Sequence, residues 1–521
     1  MKVCFILLCT LAYCATLLDG YRILGIFPYN GKSHNVMFSA LMKGLAKRGH
    51  QVDDITHFPV KDAGKTYNVV VNLNGTLKSV VNSFTIDYVK LLDHDVARMI
   101  ADDYGNAFCK LMDLPEMQKL IKNPPNNPPY DVVITEAFGS HCFMGFGHLL
   151  NVPVIAVSSS VEYPWVSQLI GSDDNPAYVC NALSSDFDKS SFFDRLWNTV
   201  SYHQTVHTFH KTSEKFQTDA MRKYLKTDTP NIRQVERSVA LTLVNRHPVL
   251  YGAKPIAPSL VEVSGLHIEQ SELRILTPKW KKYLDESSDG VAYFTFGSLV
   301  LIESLPEKTI LDVYKSFAKI TPIRVIMKIA DKRKLPPGLP KNVYTSAWIP
   351  QQAVLSHPNV KVFITHGGLM GIQETLYFAV PIIGIPLFGD QHRNVAIFVE
   401  KNMGVKINFD NITTESLDEA LNEVLKNPKY KKNAKIYSNL FKDRPMNATD
   451  TASFWIEYII RNGPNVLRSP ALELEWWQLH LLDVYGFILA SIVLTTILLY
   501  CILKYSLDKL LYGTSEKHKK E

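Results

Sequence analysis

Cysteine is scarce in this chain, with seven in 521 residues. Three of them, Cys4, Cys9 and Cys14, fall in the first twenty positions, and Cys501 lies in an apolar run near the other end. So few cysteines exclude a fold held together by a disulfide framework. Charge is thin as well: 20% of residues are ionisable, and 56 Lys+Arg against 50 Asp+Glu leave a net +6. No basic stripe accompanies that balance, so the electrostatic footprint of a nucleic-acid binder is missing. Glycine (26) and proline (28) are at ordinary levels, which excludes collagen-like and low-complexity chains. No G-x-G-x-x-G follows the first apolar strand, which argues against a dinucleotide-dependent oxidoreductase. What the chain does have is 46% hydrophobic residues, ample for a large core, and a length suited to two to four domains.

Long apolar runs occur only at the two ends. Lys2 precedes an apolar stretch from Val3 to Leu18, followed by small or polar residues. This order predicts a secretory signal peptide over residues 1–20. Near the other end, residues 484–503 carry no formal charge. At about 1.5 Å per residue they span about 30 Å, the thickness of a bilayer's hydrocarbon layer. Trp476 and Trp477 precede this run, and Lys504, Lys509, Lys517, Lys519 and Lys520 follow it. Aromatic residues suit a membrane interface and lysines the cytoplasmic side, so the pattern predicts a type I anchor with everything before it luminal. The tail 504–521 is similar to a dilysine retrieval signal of the endoplasmic reticulum. A luminal location leaves Cys109, Cys142 and Cys180, an odd number, and makes Asn74, Asn411 and Asn447 candidate glycosylation sites.

Between the ends the pattern is strand, loop, helix, strand, and it occurs twice. Residues 22–27 read as a buried strand, followed by a helix from about His34 to Arg48 with Val36, Met37, Leu41 and Leu45 on its apolar face. Further strands are expected at 131–135 and 152–157, then a long aromatic-rich helical stretch at 187–226, then a linker at about 250–270. The pattern restarts with strands at 290–296, 324–328, 343–345, 360–365 and 381–385. The fold class is therefore α/β, with two Rossmann-like domains facing a cleft and a C-terminal transmembrane helix. The expected boundaries are 21–265 for the first half and 266–460 for the second. A juxtamembrane segment at 461–483, the span at 484–503 and a cytoplasmic tail at 504–521 come after them.

Residues 348–394 carry the most specific signal. A strand runs into His366-Gly367-Gly368 and then a helix, with Glu374 one turn inside it and Asp390-Gln391 in the next loop. A glycine turn at a helix N-terminus lets backbone N–H groups approach a phosphate. The order Trp348-x-Pro350-Gln351, Thr365-His366-Gly367-Gly368, Gln373-Glu374, Gly384-Ile385-Pro386 and Asp390-Gln391 resembles the signature of the UDP-glycosyltransferase family, its insect members in particular. The resemblance extends over essentially the whole chain, through the Phe27-Pro28…Ser33-His34 opening and the 261–267 segment to the membrane anchor.

That resemblance implies a GT-B fold and a hexosyltransferase. It also implies transfer, with inversion, of a sugar from UDP-glucose to a small lipophilic acceptor, with no metal and no cofactor beyond the UDP-sugar co-substrate. It implies that Trp348 stacks on the uracil while Gln351 binds its edge, and that Glu374 takes the ribose hydroxyls. Ser298, His366 and the amides around Gly368 would hold the diphosphate, and Asp390 and Gln391 the sugar. At position 370 many relatives have Asn, and this chain has Met. The expected partners are the acceptor, the UDP-sugar and the membrane, with no nucleic acid; a homo-oligomer is compatible with the sequence.

His34 opens the first helix, whose positive end disfavours a charged imidazole, so it is the expected general base. Its orienting carboxylate is expected to be Glu136, at the end of the 131–135 strand. His141 stands where insect relatives often have Asp. If that position supplied the partner, the dyad would be altered and the chain could be an impaired relative that only binds UDP-sugar or a lipophilic ligand. His203, His207, His210 and Glu214 share one helix face. Zinc binding is one reading of that stripe, and a polar face lining the cleft or solvent is the favoured one. Among the aromatics, Phe138, Phe143, Tyr163, Trp165, Phe192, Phe193 and Trp197 are candidates for the acceptor pocket.

Overall fold

Short apolar runs become strands buried on both faces, as parallel sheets require. The computed structural model describes residues 20–60, 64–92, 95–184, 187–268 and 276–517. The expected signal segment, apart from Gly20, and the last four residues of the lysine-rich tail lie outside them. The chain divides into a body ending at Arg468 and a C-terminal unit from Ser469.

The first sheet holds β1 (Arg22–Phe27), β2 (Gln51–Thr56), β3 (Tyr67–Asn72), β4 (Val132–Glu136), β5 (Val154–Ser158), β6 (Val239–Val244) and β7 (Leu260–Glu262), in the order β3-β2-β1-β4-β5-β6-β7. The second holds β8 (Val291–Thr295), β9 (Arg324–Lys328), β10 (Val343–Ser346), β11 (Val360–Thr365), β12 (Ile382–Gly384) and β13 (Gly404–Lys406), in the order β10-β9-β8-β11-β12-β13. All pairings are parallel. Side chains alternate between faces along each strand. Leu24 and Ile26 therefore enter one core and Ile23 and Phe27 another. In the second sheet Ala292 and Phe294 separate in the same way from Val291 and Tyr293. Strand β7 lies inside the segment expected to be linker, so part of that segment closes the edge of the first sheet.

Six helices position the site, join the halves or carry the apolar C-terminal run: α1 (Lys32–Lys47), α2 (Phe192–Leu225), α3 (Leu369–Tyr377), α4 (Gln391–Glu400), α5 (Ala448–Asn462) and α6 (Leu482–Lys517). The halves exchange segments. Phe84, Ile86, Val89 and Leu92 leave the first half and bury in the core of the second, where Phe84 forms a β-bridge to Val300. In return α5, at the end of the second half, buries Ala452, Ile456 and Ile459 against Ile23 and Leu41 of the first. Arg48 of the first half donates to both oxygens of Glu457 on α5, at 2.7 and 3.1 Å.

In the C-terminal unit, residues 482–510 form 29 helical residues apolar and long enough to cross a membrane. Trp476 and Trp477 sit in a short helix just before them.

Candidate active site

Each sheet has one place where the strand order reverses, and there the loops leave in opposite directions and open a crevice. In the first sheet this falls between β1 and β4, which pair directly (Ile26 beside Thr135). The loop after β1 leads into α1 and places His34 in its first turn, and β4 ends on Glu136. The reversal therefore brings together two side chains 102 positions apart, with His34 Nδ1 2.6 Å from Glu136 Oε1. With its Nδ1–H donated to the carboxylate, Nε2 is the ring nitrogen left to accept a proton. The Ser159 hydroxyl donates to the same carboxylate oxygen at 3.3 Å. His141 takes no part. It is fully buried, its Nδ1 lies 2.5 Å from Glu236 Oε1, and its ring packs on Phe209.

In the second sheet the reversal falls between β8 and β11, which also pair (Thr365 beside Thr295). Both strands end in a threonine whose hydroxyl accepts a glycine N–H two residues on: Thr295 from Gly297 at 3.0 Å, and Thr365 from Gly367 at 3.3 Å. Both glycines have left-handed backbones, φ +75° and +87°. His366 lies between Gly297 and Gly368. A methyl group at 297 would sit 2.6 Å from its ring, and one at 368 would sit 2.7 Å away. Glycine at these positions therefore makes room for the imidazole beside the start of α3, where Gly368 provides no side-chain cap. Burial, reinforced by the nearby Lys328, pushes the His366 pKa down to about 4. A neutral His366 can offer one N–H to an anion.

The two reversals face one cavity of about 290 Å³. It is lined by His34 from the first half and by Ser298, His366 and Gly368 from the second. Trp348, Gln351, Glu374, Asp390 and Gln391 also stand on its wall, while Glu136 is reached only through His34. Trp348 is 54% exposed, which leaves its indole open to a stacked ring. Gln351 does more than line the wall: its Oε1 accepts from the Tyr293 hydroxyl at 3.1 Å, and its Nε2 donates to Glu374 at 2.6 Å. Both ends of the amide are engaged, so Gln351 orients Glu374. Gln391 is engaged in a similar way. Its Oε1 accepts the N–H groups of Leu387 and Phe388, at 3.0 and 3.2 Å, and closes the loop before α4. Asn394 holds Asp390 at 2.8 Å and the Gly367 carbonyl at 3.0 Å, tying the two loops together. Burial raises the Asp390 pKa, and the Asn394 hydrogen bond partly offsets it. Met370 packs its sulfur on the Asn245 amide at 3.4 Å, and its carbonyl faces His267 at 3.3 Å.

One cation in the cavity has no sequence signature. Lys328 ends β9 beside His366 and donates to Asn82 at 2.5 Å. Burial lowers its pKa to about 8, against the attraction of Glu303. A lysine ending a strand is ordinary in sequence; only the neighbouring strands make it part of the site. Of the aromatic candidates, Phe138 and Tyr163 line the cavity. Trp165 instead stacks on Phe209 in the core, where Phe143 is also buried, and Phe192, Phe193 and Trp197 are exposed on α2. Of the α2 stripe, Glu214 accepts from Asn231 at 3.3 Å, and burial lowers the His210 pKa to about 4. Among the described residues no group of three or more His, Cys, Asp and Glu is arranged to hold a metal.

Residues 28–518 match the family described as UDP-glucoronosyl and UDP-glucosyl transferase. The chain belongs to the UDP-glycosyltransferase family. A UDP-glycosyltransferase of Dactylopius coccus, UGT5, is 33% identical, covering 96% of this chain and 95% of its own. The UDP-glucosyltransferase 2 of the same organism is 32% identical over 96% of both chains. A rat UDP-glucuronosyltransferase, 1A8, is 28% identical over 96% of both. Two solved structures share the fold: the kitacinnamycin glycosyltransferase, with TM-score 0.56, 18% identity and coverage of 85% of this chain and 99% of that one, and VinC in complex with dTDP, with TM-score 0.55, 16% identity and coverage of 85% and 100%. The fold of this glycosyltransferase is GT-B: two parallel-sheet, Rossmann-like domains.

The charge on Glu374 changes near neutral pH. Burial pushes its pKa up to about 7, against the hydrogen bonds from Gln351 and Gln352. The ionised form is acceptor-only and is the stronger partner for hydroxyl hydrogens, whereas the protonated form carries an O–H that must itself be donated. With Glu374 as the ribose acceptor that the motif implies, UDP-sugar affinity, read by calorimetry, is expected to rise by up to about eightfold between about pH 6 and about pH 7.5 as the carboxylate ionises, and Glu374→Gln should flatten the rise. Stability runs the other way. A carboxyl whose folded pKa is raised favours folding below its unfolded pKa, and that contribution is lost as pH rises through about 7.

Proposed function

We propose that this glycosyltransferase moves glucose from UDP-glucose to a small lipophilic alcohol, phenol or carboxylic acid, with His34 as general base. The observation that carries this reading is the facing of the His34–Glu136 pair, 2.6 Å apart, and the Gly297/His366/Gly368 cradle across one cavity. His34 Nε2 takes the acceptor's proton while the acceptor oxygen bonds to the anomeric carbon. The bond from that carbon to the UDP oxygen breaks on the opposite face, so configuration inverts. Glu136 stabilises the imidazolium that forms. The backbone N–H groups at the start of α3, His366, Ser298 and Lys328 take up the charge left on UDP. Trp348 stacks the uracil, Glu374 (held by Gln351) accepts the ribose hydroxyls, and Asp390 with Gln391 faces the sugar. No metal or cofactor is required.

Glucose as donor is supported by the 32% identity to a UDP-glucosyltransferase. A luminal, endoplasmic-reticulum location is supported by the Cys109–Cys142 disulfide, which belongs to oxidising compartments, and by the apolar α6 with lysines after it. Asn74, Asn411 and Asn447 are all exposed, and Asn74 and Asn411 are the favoured glycosylation sites because the Asn447 side chain already caps α5. Attaching a sugar turns a membrane-partitioning acceptor into a water-soluble product, which is the chemistry of detoxification.

The test is incubation of the full-length membrane protein with UDP-glucose and an acceptor panel, with products read by mass spectrometry and anomeric configuration by NMR. Inverted glucosides support the reading. UDP binding without turnover on any acceptor would favour a binding protein instead.

A further inference from the structure

The first half of the chain reaches the phosphate end of the cavity through one short segment. After β3 the chain runs on to Phe84, Ile86 and Val89, whose burial in the opposite core draws it across. On the way it pairs with the loop that carries Ser298. The Asn82 N–H donates to the Ser298 carbonyl at 2.8 Å, and the N–H groups of Ser83 and Phe84 donate to the Leu299 carbonyl at 3.1 and 3.0 Å. The Leu301 N–H donates back to the Phe84 carbonyl at 2.9 Å. Upstream, the Lys78 carbonyl accepts from the buried Asn30 at 2.7 Å, and Asn30 stands in the loop that leads from β1 to His34. One stretch of chain therefore ties the loop of the base to the loop of the diphosphate.

Asn82 does more than pair its backbone. It has a left-handed conformation, φ +52°, which asparagine accepts more readily than most side chains. In this turn its Oδ1 accepts from Lys328 Nζ at 2.5 Å. Lys328 is buried, and its nearest charged influence is Glu303, whose Oε1 also accepts the Asp331 N–H at 2.7 Å. His366, the titratable group on the other side, is held neutral. An ammonium has three N–H groups to place. A neutral amide fixes one of them and leaves the charge uncancelled, so the charge stays available to an anion in the cavity.

We propose that Asn82 is a positioning residue that holds the Lys328 ammonium against the departing phosphate, so that the first half builds part of the leaving-group site. The proposal rests on the transfer reading. When the bond to the anomeric carbon breaks, its electron pair stays on the β-phosphate oxygen, which gains a negative charge. UDP carries that charge and UDP-glucose does not. The preference for UDP over UDP-glucose therefore reports how well the lysine is placed, and Asn82 itself touches no reacting atom.

The test measures both affinities by calorimetry on the full-length membrane protein as wild type, Asn82→Gly, Asn82→Asp, Lys328→Met and the Asn82→Gly/Lys328→Met double variant. Glycine keeps the left-handed backbone free of strain, and aspartate keeps the shape of the side chain. Both ligands carry the same ribose, so the titration of Glu374 cancels in the ratio. In the wild type, a preference worth about tenfold should fall roughly sixfold between about pH 7.5 and about pH 9.5, as Lys328, whose pKa is about 8, loses its proton. Asn82→Gly should lose most of the preference at about pH 7.5, as should Lys328→Met, and the double variant should lose no more than either. Asn82→Asp should move the fall to higher pH by about one unit, because a carboxylate favours the ammonium. This arm stands even if the glycine variant folds poorly. Equal weakening of UDP and UDP-glucose, or additive losses in the double variant, would make Asn82 a structural residue and end the proposal. An unshifted pH profile in Asn82→Asp ends it too. A wild type that shows the preference but glucosylates no acceptor in the panel overturns the transfer reading, and with it the part given to Asn82 in the reaction.

Discussion

Alanine at position 34 is expected to lower kcat by about 10²–10⁴ with a neutral alcohol or phenol as acceptor, the range that a positioned general base supplies. UDP affinity should not change, because Ser298, Trp348, Gln351, His366, Gly368 and Glu374, the residues proposed to hold UDP, all belong to the second half. The loss should depend on the acceptor. An acidic phenol already ionised at the assay pH does not need its proton removed, so with such a substrate the His34→Ala deficit should shrink towards the contribution of positioning alone. Rates measured across phenols of graded acidity check this. Equal rates for wild type and His34→Ala with a weakly acidic alcohol would remove His34 from the role of base. The histidine is held for this role: a 2.6 Å contact from Nδ1 to the buried Glu136 sets the tautomer and leaves Nε2 for the proton.

A single methyl at position 368 should have an effect of comparable size on the donor side. Gly368 has an ordinary φ of −60°, so alanine costs no backbone strain there, and the consequence is purely steric. The new methyl would lie 2.7 Å from His366 Nε2, too close for the imidazole to keep its place. The ring must rotate out of the cradle, and the methyl would occupy the approach to the first N–H groups of α3. Gly368→Ala should therefore weaken UDP and UDP-glucose binding by about tenfold to about a hundredfold, consistent with the loss of one or two preorganised donors to an anion. Calorimetry with UDP measures this without any turnover. Near-wild-type affinity would mean that the diphosphate does not use this turn.

Much of this architecture is local and can be read along the chain. Strands β1, β4, β8 and β11 are runs of apolar residues, and a parallel sheet buried on both faces needs such runs. The His366-Gly367-Gly368 turn and Glu374 are separated by fixed short spacings, so a helix starting at the turn places the glutamate one turn inside it whatever surrounds it. His34 at the start of α1 is local in the same sense. Other features were not legible. The edge strand β7 is only three residues long and sits among prolines and glycines that read as linker. Gln351 and Gln391 are in the cavity as their motif implies, but their amides support Glu374 and the 387–388 backbone, contacts that spacing does not encode.

Short-range sequence patterns were enough for the class of fold, the two glycine-and-histidine landmarks and the apolar C-terminal run, because each depends on residues within about twenty positions. Which carboxylate lies beside His34 is decided only in three dimensions: Glu136 meets it across the β1–β4 reversal, and His141 turns away to Glu236. The same holds for Lys328 standing beside His366, for Cys109 pairing with Cys142, and for residues 84–92 and helix α5 each burying in the opposite half. All of these join positions dozens to hundreds of residues apart. Their meeting depends on the lateral order of the strands, and hydrophobic periodicity specifies that a strand is buried but not which strand lies beside it.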